Sequence, residues 1–241
     1  IMSPVTTPSS SFNEQQATTS GNVGCYSFEL VQQLVTLSDG TFLSVYRSGS
    51  SIFFQLFDRV GNKVGSEGSF ATPGYVANND FSVLAVEDGK MVLAYESGQI
   101  DATVVQSFSI ANGVATATSD IVQTIGLPTD PVDGDGQTVE VSLSGTSVAD
   151  LVLHRLEVEP DGTQNLAMFT GLNGPNLQET DTPFPFSSNN SSIDTAVLNN
   201  GNTVSIVVSF GAGGNSRREL DFFVNAPDGT EVASGTASVT D

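Results

Sequence analysis

The sequence predicts an all-β chain, built as a β-propeller of about four blades with four antiparallel strands each. Three observations carry that expectation. A module recurs, consisting of an acidic or Asn-Gly turn, an apolar strand, a second alternating strand and another glycine turn. No sustained apolar spacing of i, i+3, i+4, i+7 appears anywhere, so helices are not expected. Short runs rich in β-branched and aromatic residues are separated by Gly, Asn, Asp and Ser, the pattern of strands joined by tight turns.

The module is clearest in LSDGTFLSVYRSGSSIFFQLFDRVGNKVG, opened by Asp39-Gly40 and closed by Val60-Gly61-Asn62. Within it VQQLVTL, TFLSVYR, SIFFQLFD and NKVGSEGSF read as four strands. The second unit opens at Asp88-Gly89 and offers DFSVLAVE, KMVLAYES, ATVVQSFSI and VATATSDIVQ. A third, assigned to Asp135-Gly136, offers only QTVEVSLS, ADLVLHRLEVE and TQNLAMFT. The fourth, at Asn200-Gly201, offers SIDTAVLN, NTVSIVVSF, RRELDFFVNA and TEVASGTASV.

The opening glycines Gly40, Gly89, Gly136 and Gly201 are 49, 47 and 65 residues apart, so the third interval reads as carrying an insertion, placed in residues 170–192. Asn112-Gly113, Asp161-Gly162 and Asp228-Gly229 join Gly61 as outer hairpin turns, because Asn, Asp and Gly tolerate the left-handed backbone of tight turns. The expected organisation is an extended arm over residues 1–21 and one repeat-built domain over 22–241. Its units fall near 30–75, 76–127, 128–186 and 187–241. Two packed β-sandwiches are the alternative architecture.

The segment LSDGTFLSVYRSGSSIFFQLFDRVGNKVGSEGSF, and less closely residues 82–120, resembles the blade-type repeats of large secreted bacterial proteins of the RTX-type adhesin and hemolysin-like kind. In those repeats a Leu-x-Asp-Gly turn leads a strand and a Gly-x-x-x-Gly turn follows the next. The chain has no Trp, and Tyr46 and Tyr95 stand where such repeats often carry one. The resemblance implies an extracellular, propeller-like module and supplies no catalytic residue to transfer.

Charge narrows the partners. Against 27 Asp and Glu stand 7 Lys and Arg, a formal net charge of −20 in 241 residues. Phosphate neutralisation needs clustered cations and only Arg217-Arg218 adjoin, so neither nucleic acid nor an anionic membrane surface is an expected partner. No apolar run reaches the length of a membrane span, so no membrane insertion is expected. The single cysteine, Cys25, forms no internal disulfide and reads as a structural thiol. The opening IMSPVTTPSSSFNEQQ lacks a basic start and an apolar core, so no uncleaved signal peptide is expected. Its polar composition suits an arm that orders against this domain or a neighbouring subunit.

Candidate chemistry is sparse. His154, the one histidine, lies in an alternating strand and reads as a packing residue, and no Gly-x-Ser-x-Gly elbow is present. Glu157 and Glu159 read as solvated, and Gly211-Ala212-Gly213-Gly214 lacks the Lys of a phosphate loop. The chain is therefore expected not to be an enzyme. In PTDPVDGDGQT, Asp130, Asp133 and Asp135 alternate in a tight loop, a pattern suited to Ca²⁺, or simply to turn geometry. Phe184 and Phe186 put two rings on a polar stretch, as partner-binding candidates or as rings folded onto the blade beneath.

The leading expectation is a secreted structural or adhesive subunit of a surface layer, appendage or larger assembly, joined to other protein subunits through the arm. A carbohydrate- or ligand-binding propeller and a virion decoration or receptor-binding protein are the alternatives.

Overall fold

The computed structural model describes residues 32–72, 76–87, 90–100, 102–111, 114–126, 137–158, 164–184, 191–198, 200–210, 218–228 and 230–239. These form sixteen strands and no helix. The first sheet holds β1 (Gln32–Thr36), β2 (Phe42–Ser48), β3 (Ser51–Phe57) and β4 (Lys63–Ser69). The second holds β5 (Val76–Glu87), β6 (Lys90–Ser97), β7 (Ala102–Ala111) and β8 (Val114–Gly126). The third holds β9 (Gln137–Ser144), β10 (Val152–Val158), β11 (Gln164–Thr170) and β12 (Gln178–Phe184). In the fourth are β13 (Ser191–Val197), β14 (Thr203–Phe210), β15 (Arg218–Asn225) and β16 (Glu231–Val239).

Each sheet is a four-stranded antiparallel meander in chain order, and the four are arranged as a four-bladed β-propeller rather than as two sandwiches. The innermost strands pack in sequence, β1 on β5, β5 on β9 and β9 on β13.

The period-two alternation of each strand decides which blade it faces. At the first junction Val35, Leu43, Val45 and Phe54 of blade 1 meet Phe81, Leu93, Tyr95 and Phe108 of blade 2. Phe70 bridges them, tilted on Phe54 and edge-on to Phe108. At the second, Val92, Ala94, Val105 and Ile125 meet Val141, Leu153, Ala167 and Phe169. The third is smaller, joining Leu156 and Leu166 to Ile193, Val207 and Phe223.

Two expectations need correction. The stretch 170–192 is not a loop throughout, because β12 lies inside it. QETDTPF escapes notice because β12 is an edge strand, which requires little apolar surface and tolerates Pro183. The third unit was also assigned the wrong turn. Asp39-Gly40, Asp88-Gly89 and Asn200-Gly201 all separate the first and second strands of a blade, whereas Asp135-Gly136 precedes β9. In blade 3 that hairpin is the longer Gly145–Leu151 loop, and Asp161-Gly162 separates the second and third strands rather than the outer pair. Counted from Gly40, Gly89, Gly145 and Gly201, the intervals become 49, 56 and 56, with no outsized insertion.

A charged pair of blade 3 is buried in the second junction. The Arg155 side chain donates from Nε to the Glu157 carboxylate beside it, and from Nη1 to Thr103 Oγ1 at 3.2 Å and to the Gly126 carbonyl at 3.0 Å. Its guanidinium also lies 4.8 Å from the Phe169 ring centroid. Glu157 was expected to be solvated; instead it is buried, because the odd-numbered side chains of β10 face blade 2. Removing one partner of a buried ion pair strands the other. Arg155→Leu is therefore expected to cost about 3–5 kcal/mol. An Arg155→Met, Glu157→Leu double variant should lose far less, as urea unfolding of the variants would show.

Candidate functional site

Two concavities of the ring are lined by described residues. One lies on the axis and is about 460 Å³, lined by Gln33 and Leu34 of β1, Ser82–Leu84 of β5, Glu140–Leu143 of β9 and Ile193–Thr195 of β13. Most of its polar groups already serve the fold. Gln33 donates its amide to the Phe81 carbonyl at 3.1 Å and accepts the Val83 N–H at 2.9 Å. Ser82 Oγ accepts the Leu143 N–H at 2.9 Å, and Glu140 Oε2 accepts the Ile193 N–H at 2.5 Å. Ser142 and Thr195 share a hydroxyl hydrogen bond of 3.0 Å. These side chains bind each blade's inner strand to the next. Asp194 is left as the exposed carboxylate of the cavity.

The second concavity, about 290 Å³, opens between blades 3 and 4 where their hairpin turns converge. Leu151, Val152, Met168, Val197, Ala226 and Pro227 make an apolar wall, and Asp150, Thr170 and Thr203 bring polar groups to it. The long β9–β10 loop places Asp150. Its Oδ1 accepts the N–H groups of Thr146 at 3.1 Å and Ser147 at 2.6 Å, and its Oδ2 accepts the Thr146 hydroxyl at 2.6 Å. Burial alone would raise this carboxyl, but the hydrogen bonds from Thr146 and Ser147 outweigh it and hold the group below its ordinary value. Asp150 is therefore a fixed anion at neutral pH.

The floor is equally set by backbone. Gly171 has φ of 73° and a Cβ there would lie 2.5 Å from the Asn176 carbonyl oxygen, so only glycine fits the turn leaving β11. At its wall Thr170 is half-buried, and Thr203 is buried at 3% exposure. The groove thus combines an apolar surface, one oriented carboxylate and two hydroxyls, a set able to hold a small polyol by one apolar face and its hydroxyl edge.

Below the groove the junction turns polar. His154 is fully buried, with Nδ1 3.1 Å from Ser205 Oγ and Nε2 without a hydrogen bond. Asp221, whose Oδ1 accepts the Thr236 hydroxyl, is buried on the same face of blade 4 as Ser205. Desolvation pushes His154 down to about 3.

Asp130, Asp133, Asp135, Phe186 and the arm 1–21 fall outside the described residues. No group of three or more potential metal ligands occurs among the described ones. Phe184 is the last residue of β12 and pairs with Gln164, at the end of the blade opposite Thr170 and the groove. Sequence reading missed Asp150, whose signal was an Asp closing a Ser/Thr-rich hairpin, and missed Thr170 and Thr203 altogether. Those two are ordinary strand residues, made a site only by the meeting of two blades.

No protein-family model matches the chain, and no curated protein matches it. Solved structures do. The GH93 α-L-arabinofuranosidase of Fusarium graminearum, solved with arabinobiose, matches with a TM-score of 0.58 at 12% identity over 87% of this chain and 66% of its own. The α-L-arabinanase of Penicillium chrysogenum, also with arabinobiose, gives 0.56 at 12% identity over the same shares. The SapL1 lectin with α-methyl fucoside gives 0.52 at 7% identity, over 86% of this chain and 65% of its own. This chain therefore spans about two thirds of the length of the structures it matches.

At such identities the likeness concerns the fold. It nevertheless corrects the expectation that the chain is not an enzyme, since that rested on missing linear motifs and the fold is shared with glycosidases. Glycoside hydrolysis needs two carboxylates facing one bond, an arrangement that separate blades can supply without any motif.

Titration offers a check on the buried groups. His154 has a folded value near 3 against an ordinary 6.5, so the unfolded chain binds a proton that the native one refuses. Its contribution to stability is therefore lost as pH falls from about 6.5 towards 3, on the order of 5 kcal/mol in all. Burial pushes Glu157 the other way, up to about 7 from 4.5, against the pull of Arg155. Its contribution is present below 4.5 and lost as pH rises through 7. Between 4.5 and 6.5 the two slopes oppose each other. Urea unfolding across that window should show a shallow dependence in the native chain, a steeper gain with rising pH in Glu157→Gln, and a reversed slope in His154→Phe.

Proposed function

We propose that this chain is a carbohydrate-binding β-propeller whose saccharide site is the groove between the third and fourth blades. The observation that carries the proposal is the composition of that groove. Leu151, Met168, Val197 and Pro227 line it together with Asp150, whose carboxylate is anchored by Thr146 and Ser147, and with Thr170 and Thr203. A pyranose or furanose ring has the same division, with C–H groups on one face and hydroxyls around the edge. Asp150 suits that edge because its charge is already fixed and its orientation is set by Thr146 and Ser147, so little ordering cost remains on binding. The saccharides named with the matched glycosidases and lectin support a glycan as the ligand class. The axial cavity is the poorer candidate, since its polar groups are engaged in joining the inner strands.

We place the protein outside the cell, a setting that the acidic, Lys-poor composition supports. A structural or adhesive role would then follow from glycan recognition rather than compete with it.

Isothermal titration with methyl α-fucoside and arabinobiose, preceded by a glycan array, tests the site. Binding in the micromolar to millimolar range is expected. Thr203→Val should weaken it about tenfold, as loss of one hydrogen bond to a ligand does. Asp150→Asn should weaken it further while unfolding remains cooperative. Absence of binding to every glycan on the array, or binding indifferent to both substitutions, would overturn the assignment.

A further inference from the structure

The groove between the third and fourth blades presents a charge that the rest of the chain does not answer. Asp150 accepts only from neutral donors, the N–H and hydroxyl groups of Thr146 and Ser147, so its hydrogen bonds orient the carboxylate without cancelling its charge. Asp228 directly follows Pro227 of the lining and adds a second exposed carboxylate, which accepts the Thr230 N–H at 3.0 Å. No Lys, Arg or His is among the residues that line the groove.

The described cations stand elsewhere. Arg47, Arg59 and Lys63 belong to blade 1, and Lys90 of blade 2 is paired with Asp120 at 3.2 Å. Arg155 is buried against Glu157 in the second junction. Arg218 opens β15, at the end of that strand opposite Asn225 and the Ala226 and Pro227 of the lining. A saccharide bearing a carboxylate or sulfate therefore finds no counter-charge in the groove, and it meets a fixed anion there.

We propose that Asp150 makes the groove a charge filter, which excludes acidic saccharides and favours those carrying a protonated amine. The inference rests on the groove being a saccharide site, and it names the class of saccharide taken. Oδ1 of Asp150 already accepts three hydrogen bonds, whereas Oδ2 accepts one, from the Thr146 hydroxyl, and has room for another. An ammonium at that oxygen makes a charge-assisted hydrogen bond, stronger than one from a neutral hydroxyl. An acidic group makes none, and repulsion between like charges a few ångströms apart near a surface costs on the order of tenfold in affinity.

A glycan array of matched sets tests the filter: galactan against galacturonan oligosaccharides, unsulfated against sulfated fucosides, and chitin against chitosan oligosaccharides. In mildly acidic buffer the sugar amines are protonated, while Asp150, where desolvation is outweighed by the hydrogen bonds from Thr146 and Ser147, stays ionised. Acidic glycans are expected to bind at least tenfold more weakly than their neutral counterparts, and amino glycans more tightly. Raising the salt concentration should narrow both gaps in the native chain by screening. Asp150→Asn should narrow them at low salt, whereas loss of a hydrogen bond alone would weaken every glycan alike. An acidic glycan bound as tightly as its neutral counterpart, an amino glycan bound more weakly, or gaps indifferent to both salt and Asp150→Asn would overturn the filter and leave the groove as a saccharide site. Binding of no glycan at all would overturn the site, and the filter with it.

Discussion

Every blade must cover two apolar faces and one free backbone edge, and the fold is the solution to that requirement. A four-stranded meander leaves the channel side of its innermost strand without a strand partner, and unpaired backbone groups away from water are costly. Here the preceding blade meets the need. Gln33 supplies both a donor and an acceptor to β5, Ser82 accepts from β9, and Glu140 accepts from β13. Apolar stacking gives the junctions their energy, while these three residues fix how far each blade sits from the next. The axial cavity is polar for that reason, and polarity there is evidence of construction before it is evidence of a ligand.

The junctions are not equal. The first two are deep and aromatic or aliphatic, with Phe54, Phe81, Tyr95 and Phe108 in one and Leu153 and Phe169 in the other. Tyr95 shows the strength of the preference, because its hydroxyl is buried without a hydrogen bond and burial raises its pKa. The third junction has a small apolar cluster and a polar layer of Ser142, Thr195, His154 and Ser205. Where stacking is weakest the blades also part at their turns, and the groove with Asp150 opens there. The groove thus opens at the junction with the smallest apolar cluster.

Much of the fold was legible because hairpin chemistry is local. Asp39-Gly40, Gly61 and Asn200-Gly201 all take part in turns between adjacent strands, and each of these glycines has positive φ. Legibility failed where the local signal was absent. β12 is polar because an edge strand can be, and the blade 3 hairpin was missed because it is closed by Asp150 and its hydrogen bonds to Thr146 and Ser147 rather than by an Asp-Gly pair. Glu157 looked solvated because sequence shows which residues alternate but not that Arg155, two positions earlier, points into the same junction. The site was the least legible of all. Thr170 ends the third strand of one blade and Thr203 begins the second strand of the next, and nothing in either segment announces the other.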